Sequence, residues 1–263
     1  MARLLIFGPG YTASRIGTAA ESRGFTIERI GRAQMPDRDA VTAAIGRATH
    51  ILSSVPPEGD GDPVLDRYVD VLGGARADWI GYLSSTGVYG DAQGAWVDES
   101  APVGQGRRTA RSAADQAWAA LHPQVRIFRL PGIYGPGRSP LDRVRAGQAH
   151  RVDLPGQVFS RIHVEDIVGA VLASFDRGPA GLYNIADDRP VSQNIVIEAA
   201  CALLGIAPPP LLPMEQAGLS PMARAFYAEN RRVANGKAKR LLGWAPRYAD
   251  YRAGLAALLA EGA

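Results

Sequence analysis

Six residues near the start of the chain, Gly8-Pro9-Gly10-Tyr11-Thr12-Ala13, follow a short apolar run and precede a helical pattern. They match G-x-G-x-x-A in the strand–turn–helix context where that spacing carries chemistry. Gly8 permits a tight turn, Gly10 lets the backbone approach a pyrophosphate, and Ala13 lets helix and strand pack closely. The free N–H groups at the helix start favour phosphate oxygens, so Pro9, Tyr11 and Thr12 join the glycines as candidate contacts. A second charged position lies where the next strand ends. A site that prefers NAD normally places a carboxylate there for the ribose 2′-hydroxyl. Here Glu28 falls within the strand, and Arg32 stands at its end. A guanidinium fork suits a 2′-phosphate, so NADP is expected ahead of NAD. Ser54, at the end of the third expected strand, completes this cofactor set.

These residues need a parallel sheet to hold them. Apolar runs at 3–7, 25–30, 50–54, 79–84, 125–130 and 182–185 read as strands covered on both faces. Helical patterns at 11–23, 40–46, 64–75, 108–121 and 165–175 alternate with them, the signature of βαβ units. The predicted class is α/β, a Rossmann-type doubly wound parallel sheet. The segment between 30 and 50 is short for a crossover with a further strand inside it, so one strand of larger relatives is expected to be missing or vestigial. After about Pro190 the pattern changes, and Pro208-Pro209-Pro210 breaks it up. Helices are expected to resume at 230–242 and 251–260. The predicted division is a nucleotide-binding domain over 1–189, with 137–159 reaching into the cleft, and a smaller C-terminal substrate lobe over 190–263.

Composition narrows the function classes. With 46% hydrophobic and 21% charged residues, the chain reads as globular and not disordered. A net charge of +3 does not argue for nucleic acid. The cluster Arg231, Arg232, Lys237, Lys239, Arg240 lacks interleaved aromatics and reads as a solvated helix. One cysteine, Cys201, allows no internal disulfide, and His50, His122, His150 and His163 show no metal-ligand spacing. The apolar run Leu4–Phe7 is too short for a signal peptide, and no stretch approaches the roughly 20 residues that span a bilayer. A cytoplasmic protein is expected, with a small-molecule substrate, no metal, no nucleic-acid or membrane partner, and a chain compatible with a homodimer.

Further motifs carry a resemblance over almost the whole chain. They are Ser84-Ser85-Thr86-Gly87-Val88-Tyr89-Gly90, then Arg129-Leu130-Pro131-Gly132-Ile133-Tyr134-Gly135-Pro136-Gly137-Arg138. Arg161-Ile162-His163-Val164-Glu165-Asp166-Ile167, Tyr183-Asn184-Ile185-Ala186-Asp187-Asp188 and Leu241-Leu242-Gly243-Trp244-Ala245-Pro246 follow. In this order they resemble the extended short-chain dehydrogenase/reductases, the NAD-dependent epimerase/dehydratase family. The resemblance implies that Ser85 holds the catalytic Ser/Thr position. It places the Pro131–Tyr134 loop against the nicotinamide, with Pro131 a cofactor contact and Tyr134 a loop tyrosine nearby. It makes His163 and Asp166 architectural links.

The pattern also departs from that family. The usual catalytic pair is a Tyr and a Lys four residues apart on one helix, where the lysine lowers the tyrosine pKa for proton exchange. The only lysines here are Lys237 and Lys239, so the pair is absent. With Asp115 at the usual Glu, Arg107 takes the Tyr position and Arg111 the Lys position. Arginine is a poor proton-transfer group, yet it binds anions and stabilises an oxyanion. The candidate catalytic set is therefore Ser85, Arg107, Arg111 and Tyr134. In the family's G-x-x-G-x-x-G frame, Tyr11 and Ser14 replace the second and third glycines. Two functions stay open: an NADP(H)-dependent oxidoreductase or epimerase acting on a small polar or anionic substrate, and a noncatalytic NADP(H)-binding redox sensor or regulatory protein.

Overall fold

The computed structural model describes residues 1–104, 106 and 109–262, with Met222 as backbone only. Its first half alternates β1 (Arg3–Phe7), α1 (Tyr11–Glu21), β2 (Thr26–Ile30), α2 (Arg38–Arg47), β3 (His50–Ser53), α3 (Leu65–Gly73) and β4 (Trp79–Ser85). There follow β5 (Trp96–Val97), α4 (Thr109–Leu121), β6 (Val125–Leu130), β7 (Gly132–Tyr134), α5 (Pro140–Arg145), β8 (Arg151–Val152) and β9 (Arg161–His163). The rest is α6 (Val164–Ala173), β10 (Gly181–Asn184), α7 (Gln193–Leu204), β11 (Leu211–Leu212), α8 (Pro221–Phe226), β12 (Arg232–Val233), α9 (Gly236–Leu242) and α10 (Tyr251–Ala260).

Six strands form one sheet in the order β10-β6-β4-β3-β1-β2, all parallel. This is the expected doubly wound architecture. Only α2 lies between β2 and β3, which leaves β2 at the sheet edge. The strands are apolar because helices cover both faces. On one side Ala13, Ile16 and Ala20 of α1 share a core with Ile167, Ala170 and Val171 of α6. On the other, Val41, Leu65, Tyr68 and Trp118 bring in α2, α3 and α4. Small residues set the spacing: a Cβ on Gly17 would lie 3.0 Å from Ile6 Cδ1, so α1 sits directly on β1.

The chain after 190 does not form one separate lobe. α5, α7 and α10 share a core of Leu141, Val144, Val196, Ile197, Leu255 and Leu258. α9 instead adds Ala238 and Leu242, with Trp244 beyond it, to the α1–α6 side of the main sheet. Two expectations change. The helix expected at 230–242 starts only at Gly236, because 232–233 pair as β12 with β5. Arg231 and Arg232 are thereby drawn onto the carbonyls of Gly90 and Gly94 and not displayed on a helix face. α7, with Ser192 as its N-cap and Gly205 in the left-handed region at its end, stands in the stretch expected to lack helix. No described helix is long and apolar enough to cross a membrane.

Candidate functional site

The β1–α1 turn is shaped by what its glycines omit. Gly8 has φ +72°, and a Cβ there would fall 2.9 Å from Val55 Cγ2. Its N–H donates to Ile30 O at 2.9 Å, and Gly10 N–H folds back onto Gly8 O at 2.7 Å. Gly10 is exposed, and a Cβ there would meet nothing nearer than Gly8 O at 4.0 Å. The ladder of α1 begins with Ser14 N–H donating to Gly10 O at 2.9 Å. The amides of Tyr11, Thr12 and Ala13 therefore open at the helix's positive end beside an uncovered glycine, a cradle that fits a diphosphate. Ser14 Oγ donates to Pro9 O at 2.9 Å and braces the turn.

Tyr11, in place of the second glycine of the G-x-x-G-x-x-G frame, is pinned sideways. Its hydroxyl donates to Pro136 O at 3.0 Å. The guanidiniums of Arg15 and Arg138 flank its ring at 4.0 and 4.4 Å. A Cβ on Gly135 would lie 2.6 Å from the Tyr11 hydroxyl, so this contact needs a glycine. Burial raises the phenol's pKa against the pull of Arg15 and Arg138.

Around this turn the strand ends form a row. Arg32 follows β2, Gly8 follows β1, Ser54 follows β3, Ser85 ends β4 and Pro131 follows β6. In the sheet these strands are consecutive neighbours, so the row spans about 19 Å at the usual strand spacing. β1 is the topological switch point, since the chain leaves it for β2 on one side and returns to β3 on the other. Ser54 is half-buried, and its N–H donates to Phe7 O at 2.9 Å. Arg32 is exposed and ion-paired with Glu58 of the loop after β3. Glu28 is turned away to Arg47, with contacts of 3.1 and 2.5 Å.

Ser85 is half-buried at the start of a 3₁₀ turn, Thr86–Tyr89, and its Oγ accepts the Gly87 N–H at 3.1 Å. Beneath it lies a polar network that sequence reasoning did not find. Asp115 accepts Ser84 Oγ at 2.6 Å and both Nε and Nη2 of Arg129, at 3.1 and 2.7 Å. Arg129 donates on to Tyr89 Oη at 3.0 Å, and Tyr89 donates to Asn184 Oδ1 at 2.7 Å. Tyr89 is thus committed, with burial raising its pKa. The signal available was a pair of arginines inside the apolar strand Val125–Leu130.

Arg111 is half-buried in the first turn of α4 and acts on the Tyr82 hydroxyl. Burial dominates there and raises the Tyr82 pKa, while the Arg111 charge opposes it. Tyr82 itself stacks on Trp118 at 5.2 Å. Arg107 lies outside the described residues. Gly106 just before it packs on the Ser85 turn, where a Cβ would meet Gly87 O at 2.5 Å.

Tyr134 requires a correction. It was expected beside the nicotinamide, but β7 pairs with β9 and turns it into the α5–α7–α10 core, 5% exposed. A Cβ on Gly254 of α10 would sit 2.0 Å from its hydroxyl, so the glycine makes room for the ring. Burial, helped by Asp187 and Asp166, raises its pKa well beyond the usual phenol range. His163 and Asp166 are links. His163 caps α6, its Nδ1 accepting Glu165 N–H at 3.3 Å, and Asp166 accepts the Arg247 and Tyr248 amides at 2.6 and 3.2 Å. Beside this loop opens a cleft of about 580 Å³ lined by Ile133, Arg138, Ser139, Asp142, Arg143 and Gln148 among others. Among the described residues no carboxylate lies within ion-pair distance of Arg138 or Arg143. No group of three or more metal-ligating side chains gathers among the described residues.

The switch-point turn, the row of strand ends and the side cleft define a class. The chain has the fold of structures such as the human epimerase family protein SDR39U1 with NADPH, which superposes at TM-score 0.76 with 17% identity over 97% of this chain and 98% of that one. At 41% identity, with 99% of both chains covered and a TM-score of 0.89, it belongs to one family with a conserved protein of Silicibacter pomeroyi DSS described as functionally unknown. Among curated proteins it is 28% identical over 276 aligned positions to the 3-diazoavenalumate denitrifying reductase of a Streptomyces species, covering 89% of this chain and 88% of that protein. It is 33% identical over 154 residues to Protein YeeZ of Escherichia coli K12, a match to 55% of this chain that spans about half of YeeZ, 53%. No protein-family profile matches the chain.

Proposed function

We propose that the chain binds NADP(H) along the row of strand ends and serves as a reductase for a small anionic substrate. The observation that carries this is the β1–α1 turn: three open amides beside an exposed Gly10 that no side chain fills. The reductase among the relatives and the NADPH in a protein of the same fold support it.

When bound, the dihydronicotinamide supplies a hydride. The turn amides would hold the diphosphate, and Arg32 would donate to the 2′-phosphate. Ser85, at the end of β4, orients the substrate by a hydrogen bond from its hydroxyl. Arg111, and Arg107 beyond the described residues, stabilise negative charge that develops on the substrate. Arg138 and Arg143 attract an anionic group into the side cleft; among the described residues neither is ion-paired, and Asp142, which also lines the cleft, pairs with Arg145. The chain has no Tyr and Lys four residues apart to take a proton from a substrate hydroxyl; Tyr89 donates to Asn184, and the Tyr134 hydroxyl is buried without a hydrogen-bond partner among the described residues. Hydride from the cofactor would form the new C–H bond while the carbonyl π pair moves to oxygen, where arginine stabilises the charge and solvent water supplies the proton; epimerisation would also need a base to remove a proton.

Fluorescence titration with NADPH tests the binding half, and absorbance at the NADPH band with a library of anionic carbonyl and related electrophiles tests the chemistry. Turnover that disappears in Ser85→Ala, with NADPH affinity kept, is the expected result. A noncatalytic NADP(H) sensor is the second reading, favoured by the burial of Tyr134. Tight NADPH binding with no turnover on any compound establishes it.

A further inference from the structure

Arg32 has a partner whose position bears on cofactor choice. Arg32 follows β2, Glu58 belongs to the loop that leaves β3, and β1 runs between those two strands. Their ion pair therefore crosses the end of β1, a span of about 10 Å at the usual strand spacing. It stands over the Gly8 turn like a bar. The loop that carries Glu58 is held in place. Val55 rests on Gly8, the Glu58 and Gly61 backbones exchange hydrogen bonds of 3.0 and 3.2 Å, and Asp62 accepts the Val64 and Leu65 amides at 2.9 and 3.1 Å and Trp118 Nε1 at 2.9 Å. Arg32 is not so fixed. Its side chain is 90% exposed, and no other hydrogen bond ties its guanidinium among the described residues.

We infer that Glu58 is a determinant of dinucleotide choice: it is the anion that Arg32 must leave to take a 2′-phosphate. This rests on the dinucleotide reading above. A carboxylate held on a braced loop and a phosphate on the ribose compete for one guanidinium. The phosphate wins because it carries more charge and more acceptor oxygens, but each NADPH bound must first displace Glu58. NADH offers Arg32 no phosphate, so its binding does not require the exchange. Glu58 therefore narrows the preference for NADPH that Arg32 alone would set.

The test is a set of titrations with NADPH and NADH on the wild-type chain, Glu58→Gln, Arg32→Ala and the double variant. An exposed pair of this kind is worth up to about a fivefold change in an equilibrium constant. Glu58→Gln is expected to tighten NADPH by about three- to fivefold and leave NADH within about twofold. In the Arg32→Ala background the same substitution is expected to do nothing. Both side chains are exposed, so circular dichroism should show unaltered folding in every variant. If Glu58→Gln weakens NADPH, leaves it unchanged or shifts both dinucleotides equally while the wild type binds them, this inference is overturned and the binding site stands. If the wild type binds neither dinucleotide, both readings fall together.

Discussion

Gly8 and Gly10 are two residues apart and have opposite reasons to be glycine. Gly8 is held by geometry: its φ of +72° and the 2.9 Å approach of Val55 both exclude a side chain. Gly10 has φ −84° and open space around it, so the fold itself would accept alanine there. What alanine would fill is the place assigned to the diphosphate. The two substitutions therefore separate stability from binding. Gly8→Ala is expected to lower unfolding free energy by about 1–3 kcal/mol. Gly10→Ala is expected to change it by less than about 0.5 kcal/mol while weakening NADPH at least about tenfold, or 1.4 kcal/mol. Urea unfolding and fluorescence titration on the same two proteins read both quantities. A Gly10→Ala protein that binds NADPH normally would remove the turn from the site.

At the scale of elements, the Asp115–Arg129 pair joins α4 to β6 under Ser85. Both side chains are nearly inaccessible, at 1% and 2% exposure, so neither charge has water to turn to. Removing one partner leaves the other charge buried, which costs about 3–5 kcal/mol. Asp115→Ala is expected to lose that much stability in urea unfolding. Adding Arg129→Leu to it should restore a large part, because the orphaned charge goes too. A double variant no better than the single one would show that packing, and not charge, explains the loss. Residues 125–130 read as a strand from their apolar run; that Arg129 points into the interior was not legible, because strand alternation does not say which partner waits on the inner face. α7 was missed for a different reason. The prolines after it dominated the reading of the whole segment.

Across the whole molecule, two buried groups of opposite sign shape the pH response. Burial holds the Asp187 carboxyl up at about 7, against 3.8 when exposed. The folded chain thus binds the extra proton between those values, so Asp187's contribution is most favourable below about pH 4 and is lost as pH rises through 7. His163 runs the other way. Burial pushes it down to about 4 from 6.5, so its contribution is intact above 6.5 and is lost as pH falls through 4. Between pH 4 and 6.5 the two slopes oppose each other. Asp187→Asn should therefore gain stability relative to the parent as pH rises from 4 to 8, by about 1–3 kcal/mol. The variant alone should then weaken on acidification below 6.5. Chemical denaturation at four or five pH values measures the difference; a flat difference would mean that Asp187 is not held protonated by burial.

The local code was enough for the parallel sheet, the helices that alternate with its strands and the glycine turn after β1. Strand burial, helix periodicity and glycine geometry act over a few neighbouring residues, and the spacing from Gly8 to Ala13 states its own requirement. Contacts between distant segments lay beyond it. The inward turn of Tyr134 depends on room left by Gly254, the bar formed by Arg32 and Glu58 depends on β1 lying between their strands, and the transfer of α9 to the main sheet depends on where Leu242 and Trp244 find apolar partners. Each is a choice among partners far apart in the chain, and such choices are made by packing in three dimensions.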